Sequence, residues 1–150
     1  MLGHLNGVEI EELLAGQKIG RLGCHSQGRT YVVPIAYAYE DGAIVAHSTE
    51  GLKLRMKREN PHVCFEVDAM DDISNWRSVV AWGRFEELHG AQADRAMAQL
   101  IARLAPLGAS PASTHSHKDL THQYRAQTQD LPTVVYRIVL TEKTGRFEKS

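Results

Sequence analysis

Apolar positions along this chain fall first at helical spacing. Val8, Ile10, Leu13 and Leu14 make one face, which predicts a short helix over Val8 to Ala15 with Gly16 as its stop. Ile19 to His25 then reads as a strand, ended by the turn signal Ser26-Gln27-Gly28. Thr30 to Tyr39 (TYVVPIAYAY) is rich in β-branched and aromatic residues and predicts a second strand. Glu40-Asp41-Gly42 carries the Asp-Gly chemistry of a tight hairpin turn, with Ala43 to Ser48 as the returning strand.

The period changes at Thr49. Gly51 to Glu59 (GLKLRMKRE) has Leu52, Met56 and basic residues at helical spacing, and Asn60-Pro61 closes it. His62 to Val67 is again a strand, and Trp76 to His89 a long one, interrupted at Gly83 as a bulge or close-contact glycine would do. Ala91 to Leu104 repeats Ala93, Met97, Leu100 and Leu104 on one helical face. Pro106 to Asp130 is polar and reads as a loop, with Thr133 to Leu140 as a final strand and Lys143 to Phe147 after it. Six strands with helices inserted between them predict a mainly β fold, a small antiparallel barrel with peripheral helices.

Composition narrows the classes. A chain of 150 residues fits one domain over its whole length, large enough to bury about 70% of its unfolded surface without a metal or disulfide. With 17 basic and 18 acidic residues there is no field for nucleic acid and no polybasic membrane signal. No run approaches the length of a membrane span, and Met1 to Glu12 does not read as a signal peptide, so a cytoplasmic protein is expected. Cys24 and Cys64 are not a CxxC pair and read as buried free thiols.

Candidate chemistry concentrates between Tyr31 and Lys57. Pro34 lies inside a strong strand and leaves one backbone position unpaired, which marks either an edge strand or an edge facing a planar ligand. His47-Ser48-Thr49 ends a strand, and Gly51 and Lys53 open the next helix. Hydroxyls, helix N-terminal amides and a lysine form a phosphate site, or alternatively an N-cap followed by a solvated basic face; Arg55, Lys57 and Arg58 add charge. His47 is a hydrogen-bonding wall, an acid–base group or a surface histidine. Trp76, Trp82 and Arg84 belong to core or interface. His115, His117 and His122 complete no zinc-type motif, so no metal is expected.

The runs GRLGCHSQGRTYVVPIAYAYEDGAIVAHSTEGLK, NPHVCFEVD and WRSVVAWGRFEEL resemble the pyridoxamine 5′-phosphate oxidase-like superfamily, with the 5-nitroimidazole-resistance-type flavoproteins as the nearest branch. The resemblance covers residues 10 to 90, and Thr144-Gly145-Arg146 more loosely. It implies a six-stranded split barrel and a homodimer with two flavin mononucleotide (FMN) sites at the subunit interface. The strand carrying Val33, Pro34, Ile35 and Ala36 would lie along the flavin ring. His47, Ser48, Thr49 and Lys53 would reach the ring edge and phosphate, and Trp82 would stand at the dimer interface. Lys53-Leu54 stands where true pyridoxamine phosphate oxidases carry an arginine-lysine pair, and their C-terminal tryptophan and arginine pattern is missing, so vitamin B6 oxidation is not expected.

These features imply an FMN-dependent oxidoreductase that passes electrons to a small planar acceptor, such as a nitroaromatic or quinone, with His47 positioning the acceptor or supplying a proton. The alternatives are a non-catalytic module for flavin, deazaflavin or haem, and a structural dimer whose pocket has lost its ligand.

Overall fold

The computed structural model describes residues 1–108 and 133–150. Its elements run β1 (Leu2–His4), α1 (Gly7–Gly16), β2 (Ile19–Ser26), β3 (Arg29–Ala36), β4 (Ala38–Glu40), β5 (Ala43–Thr49), α2 (Leu52–Glu59), β6 (His62–Asp72), β7 (Asn75–Glu87), α3 (Gly90–Gly108) and β8 (Thr133–Glu148). The histidines at 115, 117 and 122 and nearly all of the expected 106–130 loop lie outside the described residues. Pro106 itself falls within α3, so that helix runs past the expected boundary at Leu104.

Among the described residues eight strands therefore stand where six were expected. Tyr37 divides the second predicted strand into β3 and β4, β1 is an addition, and Thr133–Glu148 is one continuous strand where two segments were expected. All strand pairs are antiparallel, in the order β3-β2-β6-β7-β8-β5-β4, with β1 on β8. The two ends of that path, β3 and β4, are consecutive stretches of chain with only Tyr37 between them. The sheet thus curls back on itself, a split β-barrel with three helices.

Turn chemistry sets the hairpins. Gln27 and Gly28 have φ of 52° and 75°, and Asp41 and Gly42 have φ of 51° and 75°. Both pairs are two-residue loops, joining Ser26 to Arg29 and Glu40 to Ala43 with the backbone twist that tight hairpins require. At the β6–β7 turn the Asp72 carboxylate accepts from the Ser74 amide at 2.8 Å and the Asn75 amide group at 3.0 Å.

Gly83 is a close-contact glycine, and the bulge lies opposite it on the neighbouring strand. The β7–β8 register slips between Trp82 and Gly83, and the extra residue, Thr141, lies on β8. A Cβ on Gly83 would run into the Val139 carbonyl oxygen and stand 2.9 Å from Ile138 Cγ2.

Alternation buries one face of β2, β6 and β7, whereas β5 is buried on both faces over Ala43 to Ala46. Leu22, Phe65, Val67, Val79, Tyr136 and Ile138 fill the barrel, with Leu13 and Leu14 of α1 closing one side. Tyr37 sits edge-on to Phe65, ring centroids 4.9 Å apart. Val8, expected on the apolar face of α1, is instead exposed; Ile10, Leu13 and Leu14 make that contact. Asn6 and Glu9 form a capping box that starts the helix one residue early. A second, smaller core lies under α3, where Ala96 and Leu100 pack with Val45, Leu88 and Val135.

Candidate functional site

The polypeptide leaves β5 at Thr49 and enters α2 at Leu52, so His47-Ser48-Thr49 and the first turn of α2 form one continuous segment. β5 is held in place by β8, with His47 opposite Val135 and Thr49 opposite Thr133. Gly51 occupies the N-cap position of α2 with no side-chain cap, and a Cβ there would meet nothing within 4 Å. The N-terminal amides of α2 thus have no side-chain cap, and uncapped helix ends are places where anions can bind. The Ser48 hydroxyl donates to the Thr49 carbonyl at 3.0 Å, which folds this corner tightly.

Electrostatics tie the segment together. Burial, and then the charge of Lys53, hold the His47 imidazole below its usual range, so it is neutral at neutral pH. A neutral ring accepts a proton or a hydrogen bond; it is not a ready acid. The positive field of Lys53 also reaches Cys24 on β2, whose thiol burial pushes up.

The basic residues of α2 do not make one solvated face. Arg58 is taken up by Glu50, at 2.9 and 3.1 Å, and by Glu87. Lys57 turns inward and is 1% exposed, its Nζ 4.0 Å from the Tyr136 ring centroid and 5.2 Å from that of Phe85. Sequence reasoning missed this burial, because a lysine among basic neighbours carries no mark of it.

β3 is an edge strand among the described residues, pairing with β2 alone, so the edge reading of Pro34 holds and β3 has a bare side. Cys24, which feels the α2 lysines, lies opposite Tyr31. Val33, Pro34, Ile35 and Ala36 continue along β3 from that point, spanning about 10 Å at strand rise. The anion segment and β3 are thereby brought to neighbouring parts of the barrel through β2.

Trp82 is not part of this cluster within one chain. It stands on β7, separated from β3 by β2 and β6, and is 40% exposed. With Val32, Cys64 and Val80 it lines a mainly apolar groove of about 710 Å³ on the outer face of the sheet. Arg21 borders the groove and pairs with Asp68 at 3.3 Å and Glu66 at 3.9 Å. Burial, and then Asp68, raise the Glu66 carboxyl above its usual range. No group of three or more metal-binding side chains occurs among the described residues. No helix among them is long and apolar enough to cross a membrane.

A family model described as pyridoxamine 5′-phosphate oxidase matches residues 8–147, nearly the whole chain. The chain belongs to the pyridoxamine 5′-phosphate oxidase family. An FAD-binding protein of Mesorhizobium loti is similar in structure, with a TM-score of 0.75, 29% identity and 99% of each chain covered. An uncharacterised protein of Rhizobium meliloti is 32% identical over 84 residues, 56% of this chain; the match spans little more than half of that relative's length. A Bacteroides thetaiotaomicron protein named for 5-nitroimidazole antibiotic resistance superposes with a TM-score of 0.70 over 98% of this chain and 87% of its own, at 17% identity. At that identity the likeness is one of fold. The family expected from sequence is thus borne out, and the nitroimidazole-resistance type is one structural neighbour among several.

Proposed function

We propose that this protein binds a flavin and acts as an oxidoreductase toward a small planar acceptor, such as a nitroaromatic or quinone. The observation that carries the reading is the uncapped start of α2, open at Gly51 and flanked by Ser48, Thr49 and Lys53, in a chain of this family. Those residues fit a flavin phosphate: backbone amides and hydroxyls supply hydrogen bonds and Lys53 supplies charge. Val33, Pro34, Ile35 and Ala36 offer the free side of an edge strand to the ring. When bound, the flavin supplies the electron and hydride chemistry, while the protein binds, orients and shields it. His47, neutral and half-buried, holds the acceptor or takes up a proton beside it.

A homodimer completes the reading. The groove around Trp82 is apolar and open, and a second copy covering it would place one subunit's β7 face near the other's flavin site. FMN is the cofactor favoured here, since a terminal phosphate monoester matches a site with one open helix end. The name of the Mesorhizobium loti relative favours FAD as the second reading.

The test is an absorbance spectrum of the purified protein after incubation with FMN or FAD and desalting. About one retained FMN per chain supports the reading and justifies a screen of acceptors. Retention of FAD alone shifts the cofactor, and retention of neither overturns the proposal.

A further inference from the structure

The outer face that carries the Trp82 groove is charged unevenly along its strands. On β6, Glu66 and Asp68 stand two residues apart on that face and share one guanidinium, Arg21 of β2, at 3.9 Å and 3.3 Å. Two carboxylates on one cation leave this end with one negative charge in excess. The excess is felt at Glu66: burial, and then Asp68, push its carboxyl up to about 7, while Arg21 acts in the opposite sense. Four residues back along β6, about 13 Å at strand rise, His62 lies opposite Arg84 of β7. Arg84 is exposed on the same face as Trp82, and among the described residues it has no carboxylate partner. Trp82, opposite Cys64, lies midway between the two ends, with Glu142 of β8 level with it.

One face thus carries a carboxylate short of a cation at one end and a guanidinium short of an anion at the other, with an exposed tryptophan between them. At about 13 Å the two ends cannot pair within one chain. Such a face is complementary to a second copy of itself. Two copies packed face to face with their strands running the same way would set carboxylate against carboxylate and guanidinium against guanidinium. A two-fold axis that reverses the strand direction sets each end on its opposite, and does so twice. We propose that a second copy of this chain docks on this face with its strands reversed, so that Arg84 of each subunit meets the Glu66–Asp68 pair of the other, with Trp82 between the two contacts. The proposal rests on the homodimer reading above: that reading supplies the partner, and the charges supply its orientation.

The experiment follows self-association of the full-length wild type, Arg84→Glu and Glu66→Lys by sedimentation, and the composition of their mixture by native mass spectrometry. Each reversal alone sets like charge on like at both contacts, so each should weaken the dimer by at least about tenfold. Mixing the two reversed chains restores one matched contact and leaves the other as in wild type. The mixture should therefore form a dimer holding one chain of each kind, which a merely misfolded variant could not do. Variants that dimerise as well as wild type overturn the proposal and leave the homodimer standing. A mixture that stays monomeric also overturns it. A wild type that is monomeric at every concentration ends the homodimer reading and the proposal with it, and leaves the groove to some other molecule. If either reversal does not fold, Arg84→Gln and Glu66→Gln replace the pair. Each should weaken the dimer about threefold or more and flatten its response to salt between about 0.05 and 0.5 M; unchanged affinity and response overturn the proposal. Because the readout is mass, loss of the flavin reading would show separately, in the absorbance spectrum.

Discussion

The phenolic hydroxyl of Tyr37 donates to the backbone carbonyl of Leu14 at 2.6 Å. Leu14 lies in the last turn of α1, where carbonyls lack helical partners, and Tyr37 is the residue at which the chain passes from β3 to β4. One side chain thus caps a helix and marks the place where the sheet closes. Tyr37→Phe removes the donor and leaves a buried carbonyl without it. The expected loss is about 1–3 kcal/mol of unfolding free energy, read by urea titration; a loss below about 0.5 kcal/mol would show that water replaces the hydroxyl.

At Gly83 the obstacle to a side chain is backbone, the Val139 carbonyl. Gly83→Ala is expected to destabilise the fold by about 1–3 kcal/mol through overpacking. Gly7→Ala, at a position with open space around it, serves as the control and should change stability far less. Equal midpoints for the two variants would contradict the close packing at the bulge.

Burial of Lys57 makes stability depend on pH with a defined sign. Its folded value of about 8 lies below the unfolded 10.5. Between those two pH values the unfolded chain keeps a proton that the folded chain has shed, so this residue's contribution to stability rises with pH across the window. Set as the difference between wild type and Lys57→Met, the rise should approach about 3 kcal/mol. Buried thiols and phenols, whose titration is pushed up, act in the other direction; those that Lys57 does not influence cancel in the difference, while Cys24, which its charge lowers, adds a smaller contribution of its own. Lys57→Met should also be the more stable protein at pH 7, as chemical denaturation would show.

Substitutions at Lys53 and His47 test the proposed division between cofactor binding and turnover. If Lys53 holds the flavin phosphate as proposed, Lys53→Ala should weaken FMN by about 1.5–3 kcal/mol, the worth of a charge-assisted contact, measured by fluorescence titration. His47→Ala should leave FMN affinity within a few-fold while lowering the rate of acceptor reduction. An unchanged rate would remove His47 from the chemistry.

A tryptophan 40% exposed beside Val32, itself 64% exposed, is an apolar surface that a partner would cover. Trp82→Ala is expected to shift the chain toward monomer in sedimentation at micromolar concentration. A wild type that sediments as a monomer at every concentration would retire the dimer.

Much of the barrel was legible because local chemistry and burial agree. Asp41-Gly42 and Gln27-Gly28 supply positive φ where the hairpins need it, and Ala93, Met97, Leu100 and Leu104 face the small core under α3. The break at Tyr37 was not legible: a β-rich run carries no sign of which sheet edge each half will join. The far end of β6 was also missed, because Asp68, Asp71 and Asp72 break the apolar pattern, and so was the continuity of β8 across Thr141 and Glu142; in both places pairing with β7 rather than burial sustains the strand. At the candidate site the link between His47 and Lys53 followed from their closeness in sequence. The inward turn of Lys57 did not, since hydrophobic patterning has no means of placing a cation in the core.

The position of β8 between β7 and β5 in the sheet order has a consequence for how the chain comes together during synthesis. Without it the hydrogen-bonded path falls into two pieces, β3-β2-β6-β7 and β5-β4, each with a raw edge. A nascent chain emerging from the ribosome must hold both pieces apart from other chains until Thr133–Glu148 arrives to join them. The interval between the completion of β7 and the arrival of β8 is therefore the period of greatest exposure to aggregation, and the one in which a chaperone would matter most.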